Sequence, residues 1–108
     1  MESSGQGRVF VAGHRGMVGS ALLRQLESSG TAAIITRSRK ELDLTNQAEV
    51  EAFFMDHRPD TVYLAAARVG GIKANRDWPA DFIRENLQIQ THVIHSAFLS
   101  GVSRLLFL

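Results

Sequence analysis

The segment from Val9 to Leu26 reads VFVAGHRGMVGSALLRQL and joins three different patterns. A β-branched, apolar run comes first and predicts a buried strand over Arg8 to Ala12. Gly13, Gly16 and Gly19 follow at every third position, and apolar residues then recur at helical spacing. A strand, a glycine turn and a helix in this order are the context in which a dinucleotide-binding turn is expected.

Each of the three glycines has a separate expected task. Gly13 lets the chain leave the strand tightly, and Gly19 lets the helix lie close to the strand. At Gly16 the backbone approaches a pyrophosphate, where a side chain would clash, and the first helical amides offer N–H groups to it. The alternative is that the glycines only form a tight connection. A P-loop is excluded because no Gly-Lys-Ser/Thr follows.

The rest of the sequence repeats the alternation of strands and helices. Apolar runs predict strands over residues 32–36, 61–65 and 104–108, each preceded by a helical pattern. Continuous apolar strands between helices are typical of a parallel sheet that is covered on both faces. The predicted fold class is therefore α/β, a partial Rossmann-like doubly wound sheet of about four strands with about three helices.

Capping signals mark where the helices begin and end. Gly30 stops the first helix, and Asn46 with Glu49 has the spacing of a capping box for the second. Pro79 suits the first turn of a long third helix, which Gly101 ends. In that helix we expect these side chains to face the core: Phe82, Ile83, Leu87, Val93, Ile94, Ala97 and Phe98.

Composition limits the classes of function. The chain has 108 residues, enough for one domain, and a net charge of +1 from 12 basic and 11 acidic residues. This balance argues against nucleic acid or a membrane as partner, and no apolar run approaches the roughly 18 residues of a membrane span. Without cysteine, no disulfide or thiol nucleophile is available. We expect a flexible tail over residues 1–7, no signal peptide and a cytoplasmic location.

The end of the second strand indicates the cofactor. A free ribose 2′-hydroxyl is usually met by Asp or Glu about 20 residues after the glycines. Residues 36–40 at this place read TRSRK, with three cations and no acid. A 2′-phosphate needs guanidinium groups, and Arg15 in the glycine turn can reach the same phosphate from the other side. NADP is therefore favoured over NAD; the alternative is a solvated basic loop.

Three further features concern the same pocket. Asp43 and Leu44 are placed to meet the adenine edge, although Asp43 also suits a plain turn or helix cap. Small residues at 65–67 (AAA) let a dinucleotide lie across the strand ends, unless they serve ordinary packing. His92 and His95 have helical i, i+3 spacing, but no acid or cysteine completes a metal site, so no metal is expected.

Three stretches carry a family resemblance: GHRGMVGSA (13–21), YLAAARVGGIKAN (63–75) and PADFIREN (79–86). They resemble the GDP-L-fucose synthase family of the extended short-chain dehydrogenase/reductase superfamily. The resemblance extends over the chain after its tail. It implies an NADPH-dependent 3,5-epimerase/4-reductase that acts on GDP-4-keto-6-deoxy-mannose.

The resemblance also implies roles for single residues. The turn from His14 to Gly19 would surround the pyrophosphate, and Arg15 and Arg39 would lie near the 2′-phosphate. The implied cofactor-binding set is Gly13, His14, Arg15, Gly16, Met17, Val18, Gly19, Arg39, Asp43, Leu44, Ala65 and Ala66. Ile89-Gln90 departs from the family, which has Gly-Thr at this place.

By the same resemblance, residues 8–108 would be the N-terminal NADP-binding domain of a longer enzyme. The family's catalytic Ser, its Tyr-x-x-x-Lys pair and its Cys and His would lie beyond Leu108. The only tyrosine, Tyr63, has Ala67 four residues on, so we expect no catalytic residue in this chain and no activity from it alone.

The superfamily's order implies strands in the order 3-2-1-4, with the fourth strand at an edge, and the full enzyme would be a homodimer. Two alternatives remain open: another nucleotide-sugar reductase or epimerase on the same frame, and a non-catalytic NADP-binding module.

Overall fold

The structure is a computed structural model that describes residues 7–31, 33–65 and 79–108. The described strands are β1 (Arg8–Ala12), β2 (Ala33–Ile35), β3 (Thr61–Leu64) and β4 (Arg104–Phe107), and the described helices are α1 (Met17–Ser28), α2 (Gln47–His57) and α3 (Pro79–Ser100). Each helix follows the strand of the same number, which confirms the predicted α/β alternation. None of these described helices has the length and apolar content that crossing a membrane requires.

Local signals in the sequence set the helix ends. The Asn46 side chain accepts a hydrogen bond from the Glu49 N–H at 3.1 Å and caps α2, as the capping-box spacing predicts. α1 ends just before Gly30 and α3 just before Gly101, whose φ angles are +81° and +83°. A positive φ favours glycine, and both predicted stops are confirmed.

The strands form one parallel sheet in the order β2-β1-β3-β4. The expected order 3-2-1-4 is wrong. It places β3 beside β2 at one edge, whereas in the structure β3 pairs with β1. Within β1, Phe10 has Ile35 of β2 on one side and Val62 of β3 on the other. β4 pairs with β3 and lies at an edge of the described sheet, as predicted for the fourth strand.

The faces that the helices cover explain this order. α1 packs through Leu22 and Leu26 on the face of Val9 and Val11, whereas α2 and α3 pack on the opposite face, with Phe10. Parallel crossovers are almost always right-handed, so crossovers on opposite faces advance in opposite directions across the sheet. α1 leads outward from β1 to β2. The connection through α2 therefore runs in the opposite direction, from β2 past β1 to β3. The connection through α3, on the same face as α2, continues in that direction from β3 to β4.

The larger core lies between the sheet and the pair α2 and α3. Phe10 and Phe54 are at most 1% exposed, and their rings meet edge to face with centroids 5.8 Å apart. Val62 and Leu64 of β3 complete the same cluster at 0% exposure. Each such side chain contributes about 1.5–3 kcal/mol through burial, so this cluster anchors the loops at the ends of β1 and β3.

α3 buries a narrower face than the sequence predicts. Its buried apolar stripe has i, i+4 spacing and consists of Ile89, Val93 and Ala97. Four side chains expected in the core are instead 42–80% exposed: Ile83, Leu87, Ile94 and Phe98. The expectation is wrong for these four because α3 is apolar on two sides, and its pattern alone does not indicate which side meets the sheet.

Candidate functional site

The helices that follow β1 and β3 cover opposite faces of the sheet. These strands are neighbours, yet α1 covers one face and α3 covers the other. Such a place is a topological switch point, and ligands of open α/β sheets bind in the crevice beyond the carboxyl ends of the strands there. The turn formed by residues 13–16 begins at this crevice.

The glycines of the turn differ in what the fold demands of them. Gly13 has a φ of +90°, which favours glycine. A Cβ on Gly19 would overlap the carbonyl oxygen of Gly13 and lie 2.7 Å from its carbonyl carbon, so α1 approaches the turn only because Gly19 has no side chain. Gly16 has φ −75° and ψ 171°, and a Cβ there would lie 3.6 Å from its nearest neighbour, the Gly13 oxygen. Of the three glycines, only Gly16 combines a φ that any residue adopts with room for a Cβ.

The first turn of α1 presents backbone amides without a side-chain cap. Gly16 is the N-cap residue, and the first turn contains no acidic residue. The Ser20 N–H donates to the Gly16 carbonyl at 2.8 Å, so the amides of residues 17–19 precede the first helical hydrogen bond. The positive end of the helix dipole adds to these amides, and the arrangement suits an anion.

A cleft of about 190 Å³ opens beside the turn. Four parts of the chain line it: the glycine turn, the loop after β2, the approach to α2, and α3. The lining residues are Gly13, His14, Arg15, Gly16, Arg37, Ser38, Arg39, Leu42, Asp43, Leu44, Thr45 and Ile89. The set contains three arginines and one acidic residue, a charge balance that favours an anionic ligand, and its apolar side chains suit a flat ring.

The cleft gathers most of the residues that the sequence predicts for the site. Those that line it are Gly13, His14, Arg15, Gly16, Arg39, Asp43 and Leu44. Four others lie outside the lining: Met17, Val18, Gly19 and Ala65. Ala65 donates its N–H to the Ala12 carbonyl at 2.9 Å and so extends the β1–β3 pairing toward the crevice. Ala66 lies outside the described residues, and cofactor contacts for all these residues stay predictions.

The loop that carries Arg39 is closed by a reciprocal pair. The Ser38 N–H donates to the Glu41 carboxylate at 2.8 Å, and the Glu41 N–H donates to the Ser38 hydroxyl at 3.3 Å. Hydrogen bonding of the Glu41 carboxylate by the backbone and the side chain of Ser38 lowers the pKa of Glu41, with nearby Arg37 and Arg15 acting in the same direction. The Arg39 side chain is 79% exposed, and its guanidinium is 4.0 Å from the Glu85 carboxylate.

Arg37 is held more firmly than Arg39. Its Nη1 donates to the Thr36 carbonyl at 2.7 Å, and its Nη2 lies 3.3 Å from Nε2 of His57, at the end of α2. The guanidinium carbon lies 5.5 Å from the ring centroid of Phe53. The basic run after β2 therefore contributes one anchored cation and one exposed cation to the cleft.

Asp43 is a turn residue that also lines the cleft, so the turn reading is confirmed and its contact with adenine stays a prediction. Its Oδ1 accepts from the Thr45 hydroxyl at 2.6 Å and from the Thr45 N–H at 3.0 Å. These two bonds lower the pKa of Asp43, with Arg39 and His92 acting in the same direction. The Glu49 carboxylate accepts from the Asp43 N–H at 3.2 Å, whereas the Asn46 N–H donates to the Asp43 carbonyl at 3.0 Å, so the reciprocal half of the expected capping box goes to Asp43.

His92 holds Leu44, the residue that follows Asp43, in place. Its Nδ1 lies 2.9 Å from the Leu44 carbonyl oxygen, and because a carbonyl only accepts, the ring carries a proton on Nδ1. The bond ties the loop before α2 to α3 across 48 positions of sequence. Among the residues that the structure describes, no three His, Cys, Asp or Glu side chains are placed to hold a metal ion.

Sequence reasoning missed several lining residues. Ser38, Leu42, Thr45 and Ile89 carry no motif of their own, although Ile89 stands at the departure from the family pattern. Arg37 belongs to the basic run that favours NADP, and that run was the signal for it. His92 gave no signal, because its partner is a backbone carbonyl far away in sequence.

A parallel sheet with a glycine turn at its switch point defines the Rossmann-like class of α/β domains. The sequence model of the NAD dependent epimerase/dehydratase family matches residues 9–108, and the chain belongs to this family.

Comparison with named proteins shows which enzymes the chain resembles. The chain is 58% identical over 101 residues to GDP-L-fucose synthase 1 of Arabidopsis thaliana, an alignment that covers 94% of this chain and 31% of that protein. It is 54% identical over 101 residues to GDP-L-fucose synthase of Escherichia coli (strain K12), covering 94% and 32%. The resemblance predicted from the sequence is confirmed. The chain spans about a third of the length of these relatives.

A solved structure shows the same fold. GDP-mannoheptose C4 reductase from Campylobacter jejuni, a structure with NADP bound, superposes with a TM-score of 0.90 at 40% identity. The match covers 98% of this chain and 31% of that chain.

Proposed function

We propose that this chain is the cofactor-binding part of an NADPH-dependent epimerase/reductase that converts GDP-4-keto-6-deoxy-mannose to GDP-L-fucose. One observation carries the proposal: a glycine turn with open space at Gly16 and three arginines, Arg15, Arg37 and Arg39, line one cleft. The names of the relatives support the sugar substrate. The family name mentions NAD, so the preference for NADP depends on the cations.

The residues fit the parts of the dinucleotide in order along the cleft. The pyrophosphate would lie against Gly16 and the first amides of α1, where a Cβ would occupy its space. The arginines would hold the 2′-phosphate, and Asp43 with Leu44 would border the adenine. NADPH, when bound, supplies the hydride that reduces the 4-keto carbon after two epimerisations beside that carbonyl.

Both carboxylates of the loop between β2 and α2 are engaged within that loop. Glu41 accepts from Ser38, and Oδ1 of Asp43 accepts both donors of Thr45. Recognition of NAD would need a carboxylate that accepts from the ribose 2′-hydroxyl. These internal bonds favour the 2′-phosphate, for which each charge-assisted bond contributes about 1.5–3 kcal/mol.

The test is a calorimetric titration of the purified protein with NADPH and with NADH. We expect NADPH to bind about 10- to 100-fold more tightly, because the 2′-phosphate is the only chemical difference between the two at this cleft. Equal affinities would overturn the cofactor assignment. If the full-length protein binds NADPH tightly but does not oxidise it when the GDP-sugar is added, the result would support a non-catalytic NADP-binding module instead.

We further propose that these residues alone do not complete the reaction. Reduction of a ketone needs a proton donor for the developing alkoxide. The only tyrosine, Tyr63, packs half-buried against the cluster of Val9 and Val11, and the residue four positions later is Ala67, so Tyr63 begins no Tyr-x-x-x-Lys pair. The donor would therefore come from elsewhere in the full-length enzyme.

For that full-length enzyme we propose a homodimer in the cytoplasm. The exposed apolar side chains of α3 support a helical contact surface: Ile83, Leu87, Ile94 and Phe98. Light scattering on the full-length protein measures its mass, and a monomer at micromolar concentration would contradict the dimer.

A further inference from the structure

The three arginines of the cleft are held in different ways. Arg15 is exposed on the glycine turn, and Arg39 is 79% exposed beside Glu85. Arg37 is half-buried and has contacts on two sides of its guanidinium. A long side chain that is already ordered loses less conformational entropy when a ligand arrives. Arg37 is therefore the arginine whose position is fixed before binding.

The contacts of Arg37 leave much of its donor capacity for a ligand. A guanidinium carries five N–H groups, and the bonds to the Thr36 carbonyl and to His57 use two of them. Arg37 also lines the cleft, together with Arg15 and Arg39.

The direction of the bond to His57 defines the state of the imidazole. Arginine has donors only, so Nε2 of His57 must accept from Nη2 of Arg37 at 3.3 Å. The imidazole is therefore neutral, with its proton on Nδ1. A neutral acceptor orients the guanidinium without cancelling its charge, whereas a carboxylate in that place would compete with a phosphate for it.

Phe53 supports both Arg37 and His57 from the core. It is 7% exposed, and its ring centroid lies 4.6 Å from that of Phe10 and 5.6 Å from that of Phe54. The His57 ring stacks on it at 4.7 Å, and the Arg37 guanidinium lies over it at 5.5 Å. Both partners of the hydrogen bond thus rest on one core side chain, which contributes a cation–π attraction to the orientation.

We propose that His57 and Phe53 are positioning residues that preset Arg37 for the 2′-phosphate of NADPH and so help to determine cofactor specificity. The inference rests on the proposed use of NADPH. It adds to the exposed arginines a cation whose orientation comes from the core of α2, 20 residues further along the chain.

The experiment measures NADPH and NADH affinities by calorimetry for five variants. His57→Leu removes the acceptor and should weaken NADPH by about three- to tenfold, the cost of ordering one long side chain, while NADH affinity stays within about twofold. His57→Gln keeps a neutral acceptor oxygen and should restore most of the preference. His95→Leu makes the same change at an exposed histidine of α3 outside the cleft and should have no effect.

The last two variants are Arg37→Ala alone and Arg37→Ala combined with His57→Leu, and they test whether one residue acts through the other. If it does, adding His57→Leu to Arg37→Ala changes the NADPH preference no further. A His57→Leu protein that keeps the full preference would overturn the inference, and so would a loss that persists in the Arg37→Ala background. Equal loss of NADPH and NADH affinity would also overturn it, because that indicates damage to the fold. A wild-type protein without any preference would overturn the proposed function itself and this inference with it.

Discussion

Replacing Gly16 by alanine separates what the ligand needs from what the fold needs. The added Cβ would lie 3.6 Å from the Gly13 oxygen, an ordinary contact, and φ −75° with ψ 171° is accessible to any residue. An N-cap glycine is better than alanine by a few tenths of a kcal/mol or more, whereas restricting the unfolded chain returns about 0.4–1 kcal/mol. The free energy of unfolding should therefore change by less than about 0.5 kcal/mol.

The same methyl group should impair cofactor binding. If the pyrophosphate lies against the Gly16 backbone, the Cβ displaces it from the amides of α1 and weakens at least one charge-assisted hydrogen bond. Such a bond is worth about 1.5–3 kcal/mol, so the dissociation constant for NADPH should rise about 10- to 150-fold. Gly16→Val is bulkier and should abolish binding while the far-UV helical signal changes little.

Gly19→Ala is the matched control. Its Cβ would overlap the Gly13 oxygen, so α1 must move away from the turn. Overpacking of this kind costs about 1–3 kcal/mol, and in a domain of this size it lowers the unfolding temperature by about 4–20 °C. Thermal unfolding and calorimetry on both variants give the comparison. Normal NADPH affinity in Gly16→Ala would refute the placement of the pyrophosphate, and a loss of stability equal to that of Gly19→Ala would refute the clearance argument.

Four other outcomes can be measured. Arg39→Ala should weaken NADPH about 10- to 150-fold and NADH by less than about twofold, and equal losses in calorimetry would contradict a contact with the 2′-phosphate. With NADPH and GDP-4-keto-6-deoxy-mannose, the 108-residue chain should leave the absorbance of NADPH unchanged, and turnover that Gly16→Val abolishes would show that it holds catalytic residues. Because the pKa of Asp43 is lowered in the folded state, its contribution to stability is complete above about pH 4 and lost as the pH falls further. The difference in urea midpoint between wild type and Asp43→Asn should accordingly shrink toward zero in acid. Asn46→Ala should cost about 1 kcal/mol by removing the cap of α2, and an unchanged urea midpoint would contradict that role.

Local chemistry made the elements predictable, and their arrangement required three-dimensional information. Strands, helix ends and the tasks of Gly13 and Gly19 follow from short windows of sequence, because a positive φ or a close approach leaves a local signature. The strand order depends on which face α2 covers. That choice is made by Phe53 and Phe54 packing on Phe10, about forty positions away in the chain, and no window includes both.

In the candidate site, too, some features could be predicted from short windows of sequence and others could not. Motif spacing predicts the glycine turn, the basic run and the pair Asp43 and Leu44, and the cleft brings them together. The contacts that orient them could not be predicted: His92 bonds to a backbone carbonyl, and His57 accepts from Arg37. Neither contact requires a particular sequence around the histidine, so nothing in the pattern distinguishes these histidines from His95.

The two sides of the cleft belong to clusters of unequal size. α1 is attached to the sheet through the small cluster of Val9, Val11 and Leu26. α2, α3 and the loop between β2 and α2, which carries Arg37 and Arg39, belong to the large cluster. In the free protein, backbone amides of α1 should therefore exchange their hydrogens with solvent sooner than those of α2. A dinucleotide bound to both sides would slow exchange most in α1, because a ligand stabilises whatever must close around it.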